Sequence, residues 1–564
     1  MRRTATAALF LVLSLRLQAA DALKVASEMV RASGAAGGVC AVVGAKDVDL
    51  AVALAKQGPF VVHVLLPDRA ACDSARKALR DRGLCGTVTA DVLRDRWLPY
   101  TDNLVNIAVV AAPVPRDEVL RVLAPLGTAY FMAKGGKRVR VSKPWPADID
   151  EWTHYLHGPD GNAVAKDRVV GPPKHYQWVS GPLWQRSHET DSSISTLVTA
   201  RGRLFAIVDE APISLAGDHP LPDKWFLTAQ DAFNGMHLWK VPIRRWGWRE
   251  WKHSWFNTRP GEVPLNLQKR LVAAGNRLYV TLGYRARVSQ LDARTGEILR
   301  TYAGTERTNE IIHLQGALVL SVLEGDGTRI VAVDTATGER LWATERIYRG
   351  STVDYIKWKA MRGSTRPAKL DPAPNIASDG KVVAFIDGPE IACVDFATGA
   401  EKWHVPFPST EADLRAGGIR TMGNLWVGTT IVAHGVVVHA SPNKLAGLDA
   451  DTGKVLWEQP KKYIGHLWYE WKDVFVIDGL VWTWGNDLTR GVIGEGTRAK
   501  QQTLYPQSLR GYDVRTGKLA KTVDLGPTFK SHHHHRCYRN KATIRYILAS
   551  RRGTEYVSLT GGPH

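Results

Sequence analysis

The densest run of side chains able to hold a metal is SHHHHRCYRNKA, residues 531–542. Successive strand residues point to opposite faces, so His533, His535 and Cys537 would share one face at a spacing that suits zinc or copper. Arg536, Arg539 and Lys541 oppose a cation there, and the same histidines can instead line a channel or a polar strand edge. A second stretch, RRWGWREWKHSWFN (244–257), interleaves Trp246, Trp248, Trp251 and Trp255 with Arg and Lys. Such a surface stacks on sugar rings or meets acidic polymers through cation–π contact, or else caps one part of the fold against another. Three shorter candidates pair polar groups with an aromatic or an acid: SHETD with His188 and Glu189, GNLW with Trp426, and GHLWYEW with His466. Each reads equally as structural.

What must position these residues is a repeat. LDADTGKVLW (448–457) has relatives in VDFATGAEKW, VDTATGERLW, AQDAFNGMHLW, LDARTGEILR and YDVRTGKLAK, one of which carries Asn for Thr. Asp-x-x-Thr-Gly is hairpin chemistry: short polar side chains bond nearby N–H groups and Gly takes a positive φ. The glycines, at 235, 296, 338, 399, 453 and 517, lie 42 to 64 residues apart. A period of about 50 with β-rich content predicts a β-propeller, one four-stranded blade per repeat. Trp239, Trp342, Trp403 and Trp457 stand four residues after their glycines, where they can dock between blades; Arg300 and Lys521 hold that place in the other two copies.

The N-terminal part reads differently. VCAVVGA, FVVHVLL, NLVNIAVVAA and TAYFMA are strand-like runs separated by helical stretches, which means parallel βαβ units and a doubly wound, Rossmann-like sheet. This part resembles the class I methyltransferase fold, on Gly44 after the first strand, Asp68 after the second, the Leu98-Pro99-Tyr100 stretch and EVLRVLAPLG. The resemblance implies that a glycine-rich turn and the Asp68 carboxylate would hold S-adenosylmethionine. Lys46 and Val48 replace two glycines of that turn, and their side chains crowd the cofactor's path. The expectation is therefore a degenerate methyltransferase-like α/β domain over 23–143, kept for packing or for binding something else.

The repeats D-x-x-T-G-x-x-x-W resemble those of the pyrroloquinoline-quinone (PQQ) type propellers, over 186–564. That family includes quinoprotein dehydrogenases and a non-enzymatic lipoprotein of outer-membrane β-barrel assembly. A dehydrogenase of this kind implies PQQ sandwiched between a Trp and a disulfide of adjacent cysteines, with calcium held by carboxylate and amide oxygens. Residues 186–564 hold only Cys393 and Cys537, so PQQ with calcium is not favoured. DEWTHYLHGPDGNAVAKDRVVGPPKHYQW (150–178) looks like the Trp-rich lead-in of exported propellers, and 144–185 is expected to be lead-in and linker.

Composition bounds the partners. The first 22 residues read as an export signal, with Arg2 and Arg3, an apolar run from Ala5 to Leu15, and a small-x-small site at Ala20-Asp21-Ala22. That run is too short to span a bilayer, so a periplasmic or otherwise exported protein is expected. A formal charge of +19 would suggest nucleic acid inside the cell. After export, envelope proteins or a polyanionic or glycan ligand replace nucleic acid, and the scattered charges also fit a merely solvated surface. Five cysteines exclude a disulfide framework, although Cys72 and Cys85 could pair. The reading is thus a binding or scaffold protein that leans away from catalysis, with a PQQ-dependent oxidoreductase or a methyltransferase as alternatives. The ring is expected to have seven or eight blades. Six complete turns and a seventh begun at Thr560-Gly561 predict a truncated ring; the competing expectation is that 170–200 pairs with 543–559 and closes it.

Overall fold

The computed structural model describes residues 21–44, 48–133, 138–181, 193–211, 224–247, 250, 267–350, 371–407, 428–441, 444–461, 472–493, 501–526, 539–550 and 554–561. Within them, α1 (21–33), β1 (Gly38–Val43), α2 (Asp49–Ala55), β2 (Phe60–Leu66), α3 (Arg69–Asp81), β3 (Val88–Val92), β4 (Val105–Val110), α4 (Arg116–Val122), β5 (Leu123–Met132) and β6 (Arg138–Ser142) build one layer structure. Its strand order is β3-β2-β1-β4-β5-β6, parallel except for β6. The strands are apolar on both sides because helices cover the sheet; α1 to α3 pack Met29, Leu54 and Leu79 on one face, and α4 packs Val119 and Val122 on the other. Cys72 and Cys85 are unpaired, one buried and one exposed.

Seven four-stranded sheets follow, here called blades 1 to 7: 194–242, 271–301, 308–343, 377–406, 429–460, 474–524 and 541–558. Blades 1 to 6 are antiparallel meanders, blade 6 carrying an extra hairpin, Leu488–Ile493 with Gln501–Pro506. Apolar clusters lie between consecutive blades; one, for example, joins Val432 and Val437 of blade 5 to Trp403 of blade 4.

The repeated turn explains how those clusters are sealed. Asp449 Oδ1 accepts from the amides of Asp451 and Thr452 and from the Thr452 hydroxyl, so the hairpin is tied by one carboxylate. Gly453 has φ +72°, and a Cβ there would lie 2.7 Å from the ring of Trp403 of the preceding blade. The glycine is a socket as well as a turn residue. Trp403 Nε1 then donates to Ala450 O, and Trp239, Trp342 and Trp457 repeat the bond with Ala293, Phe396 and Val514. Arg300 does the same work with charge, its guanidinium donating to the carbonyls of Ala336 and Thr337. Lys521 instead lies over Trp482 of its own blade.

The stretch expected to be a linker has a different role. Residues 152–163 bond the first strand of every blade in turn: Trp152 O accepts from Thr199 N, Thr153 O from Ala273 N, and His154 Nε2 from His313 N. Pro159 O accepts from Ser378 N, Asp160 O from Val432 N, Asn162 Oδ1 from Val476 N, and Ala163 O from Ala542 N. At Gly161 a Cβ would stand 2.4 Å from Thr430 O, so the segment can pass only with glycine there. Beyond it, β7 (Val164–Ala165) runs parallel to Lys541–Thr543 as the fourth strand of blade 7. The lead-in and the last strands do share a sheet, through 164–165 and not 170–200. The opposite edge of blade 7, Thr554–Ser558, has no further strand among the described residues. Trp178 seats on Gly235 of blade 1 and donates to Ala232 O, taking the position that each repeat Trp takes on the next blade.

Candidate functional site at the axial mouth

The first strands enter the ring from the end opposite the lead-in, and the residues at their starts converge there. Lys269 precedes the first strand of blade 2, Glu310 lies in that of blade 3, and Asn375 precedes that of blade 4. The Lys269 ammonium donates to Glu310 Oε2 at 3.1 Å and to Asn375 Oδ1. Glu310 is fully buried and also accepts from the amides of Asn375 and Ile376, both at 2.8 Å. Burial lowers the pKa of Lys269, and the charge of Glu310 partly offsets that. Asn375 stands at φ +55°, and its Nδ2 donates to Gly428 O, which ties blade 4 to the approach of blade 5.

Around this core, Arg539 donates to Thr429 Oγ1 at 2.6 Å and to Lys472 O, while Asp473 accepts from Asn540 and from Trp484 Nε1. Arg270 is fully buried against the Tyr284 ring, 4.0 Å from Asp371, which also accepts from the Tyr284 hydroxyl. Lys461 donates to Thr483 Oγ1, and burial pulls its amine down to about 7, the charge of Asp473 opposing. Four basic side chains, Lys269, Arg270, Arg539 and Lys461, therefore lie beside three acids, Glu310, Asp371 and Asp473.

A second cluster lies on blade 4. Asp387, Glu390 and His404 bring ligand atoms within 4.8 Å of one another. Yet Arg346 donates to His404 Nδ1, and Nε2 lies 3.3 and 3.1 Å from Asp387 and Glu390. Arg349 pairs with both acids. Two guanidinium groups, Arg346 and Arg349, already lie among these acids, as in an ion-pair network.

The residues do not fit the cofactors that the two resemblances imply. A calcium held by the Glu310 and Asn375 oxygens would have to displace the Lys269 ammonium, which bonds both. In the α/β layer, Gly44 has φ +75° and a Cβ there would lie 2.7 Å from Ala112, so this position takes only glycine, while residues 45–47 of the turn lie outside the described residues. Asp68 caps α3 by accepting from Ala71 N at 2.8 Å, and Val48 is buried in the core beside α2.

Of the candidates taken from the sequence, Trp246 is 4% exposed, against Trp225 and Arg270 between blades 1 and 2. Lys46, Trp248, Trp251, His188, Glu189, Trp426, His466, His533, His535 and Cys537 lie outside the described residues. Sequence reasoning missed Lys269, Glu310 and Asn375. They stand outside the repeated turn, at places where each blade differs, and no spacing links them.

Residues 224–484, somewhat under half the chain, match the family model of PQQ-like repeats described as outer membrane protein assembly factor BamB. This supports a PQQ-like β-propeller. No curated protein matches the chain. Solved structures similar to its N-terminal part include the [4+2]-cyclase SpnF, 21% identical over 21% of this chain and 48% of that one, TM-score 0.18. Geranyl diphosphate C-methyltransferase from Streptomyces coelicolor A3(2) is 16% identical over 19% and 42%, TM-score 0.18. A SAM-dependent methyltransferase from Aquifex aeolicus is 17% identical over 17% and 55%, TM-score 0.16. The chain thus spans about half the length of each. Among the described residues no helix is long and apolar enough to cross a membrane.

Proposed function

We propose that this chain is an exported binding or scaffold protein built on a PQQ-like propeller, which holds an acidic group of an envelope protein or polymer at the axial mouth without transforming it. The observation that carries this reading is the Lys269–Glu310–Asn375 contact, in which a tethered ammonium already bonds the carboxylate and amide oxygens at the mouth. The Arg539 guanidinium beside it favours an anionic ligand, and blades fixed by a central segment make a rigid frame for one. Native mass spectrometry of the protein purified from its own compartment tests the proposal. A retained acidic peptide or polymer supports it; retained PQQ overturns it in favour of an oxidoreductase.

A further inference from the structure

At the other end of the ring, a cavity of about 560 Å³ opens between the lead-in, the hairpin turns of blades 1 and 2, and the α/β layer. That volume is in the range of sites for small organic ligands. Its walls include Trp145, Asp150, Glu151, His157 and Arg201.

These groups are held in place. Asp150 accepts from His157 Nε2 at 2.8 Å and from the amides of Lys166 and Glu151. Burial raises its carboxyl, but those bonds outweigh burial and bring it down to about 2. With Nε2 on the Asp150 carboxylate, His157 Nδ1 has no partner among the described residues. His157 itself is left-handed, at φ +68°, with the Trp152 ring packed edge-on at 5.3 Å. Strain of this kind persists only where neighbours over-determine a residue. Glu151 accepts from Arg201 N through Oε1, and that leaves Oε2 as a second acceptor. Trp145 is half-buried and braced edge-on by Phe233 at 6.2 Å.

We infer that this cavity is a ligand site for a short neutral saccharide. Sugar hydroxyls donate and accept, so they match two acceptors, His157 Nδ1 and Glu151 Oε2, beside one cationic donor, Arg201. The C–H face of a pyranose packs on an indole, which Trp145 supplies. Two carboxylates on the wall repel phosphates and uronates, and Arg201 repels amines. The site uses nothing from the axial mouth and stands whether or not the mouth binds an anion.

Saturation-transfer difference NMR on the full chain tests this, with maltose, cellobiose, lactose and N,N′-diacetylchitobiose at millimolar concentration. At least one should give transfer in the wild type and lose it in both Trp145→Ala and His157→Phe. Circular dichroism should stay unchanged, and if either variant fails to fold, Glu151→Ala takes its place. Absence of transfer from all four sugars overturns the inference, as does transfer that survives either substitution.

Discussion

The side-chain amide of Asn234 donates to Asn106 Oδ1 at 2.7 Å, and so the one repeat that carries Asn for Thr is the one that meets the α/β layer. Its Oδ1 still accepts from Met236 N, as the Thr hydroxyl accepts from the amide two residues on in other turns, while its Nδ2 also reaches Leu104 O. Asn106 in turn donates to Asp231 Oδ2 and accepts from Val39 N. Gly38 makes room, since a Cβ there would stand 1.9 Å from Asn106 Oδ1. The deviation from the repeat is therefore an interface residue that keeps its turn duty.

Asn234→Thr should leave the blade 1 turn intact and remove two donated bonds across that interface, a loss of about 1 to 3 kcal/mol. Hydrogen exchange reads it: the amides of residues 38–39 and 105–107 should exchange faster while the interiors of blades 2 to 6 are unchanged.

Trp457 is 7% exposed and seats on Gly517, so Trp457→Ala should cost about 3 to 5 kcal/mol in denaturant unfolding. Trp97, which is 59% exposed, is the control and should change stability by less than about 0.5 kcal/mol.

Lys269→Ala should empty the ammonium position and leave Glu310 and Asn375 as an oxygen pair. The variant should melt at lower temperature, by about 3 to 5 kcal/mol, as when one partner of a buried pair is removed. Added calcium should restore part of the loss in the variant and do nothing for the wild type; calcium-dependent melting of the wild type would contradict the assignment of Lys269.

His154 is buried in the central segment, accepting through Nε2 from His313 N and bonding Thr153 through Nδ1, an arrangement that only the neutral ring allows. Burial, aided by His313 and His157, brings its pKa down to about 3 from an ordinary 6.5. Between those values the unfolded chain binds the proton and the folded one does not, so stability is full above about 6.5 and falls at up to about 1.4 kcal/mol per pH unit on acidification. His154→Gln keeps an acceptor and cannot titrate. Its denaturant midpoint should depend less steeply on pH between 4 and 6.

Isothermal calorimetry with S-adenosylmethionine should show no micromolar binding, because Lys46 and Val48 stand where the turn would need glycines. Restoring glycine at Val48 alone should not recover it.

The sequence by itself determined the elements whose cause is local. Alternating strands and helices before residue 143 gave the sheet order its material, and Asp-x-x-Thr-Gly wrote each hairpin, because a carboxylate that bonds amides two and three residues on needs nothing from elsewhere. The spacing to Trp also carried the blade contacts, since the same register recurs at each turn. Tertiary structure alone decided the rest. Nothing in 152–163 as a string says that its carbonyls will each meet a different blade; those bonds join residues up to several hundred positions apart, and only the ring brings the seven first strands to one segment. Lys269, Glu310 and Asn375 are likewise ordinary residues until three blades place them within hydrogen-bonding reach. The turn could be read because its energy is short-range. The axial mouth and the cavity at the lead-in could not, because a charge's role depends on what burial and its distant neighbours do to it.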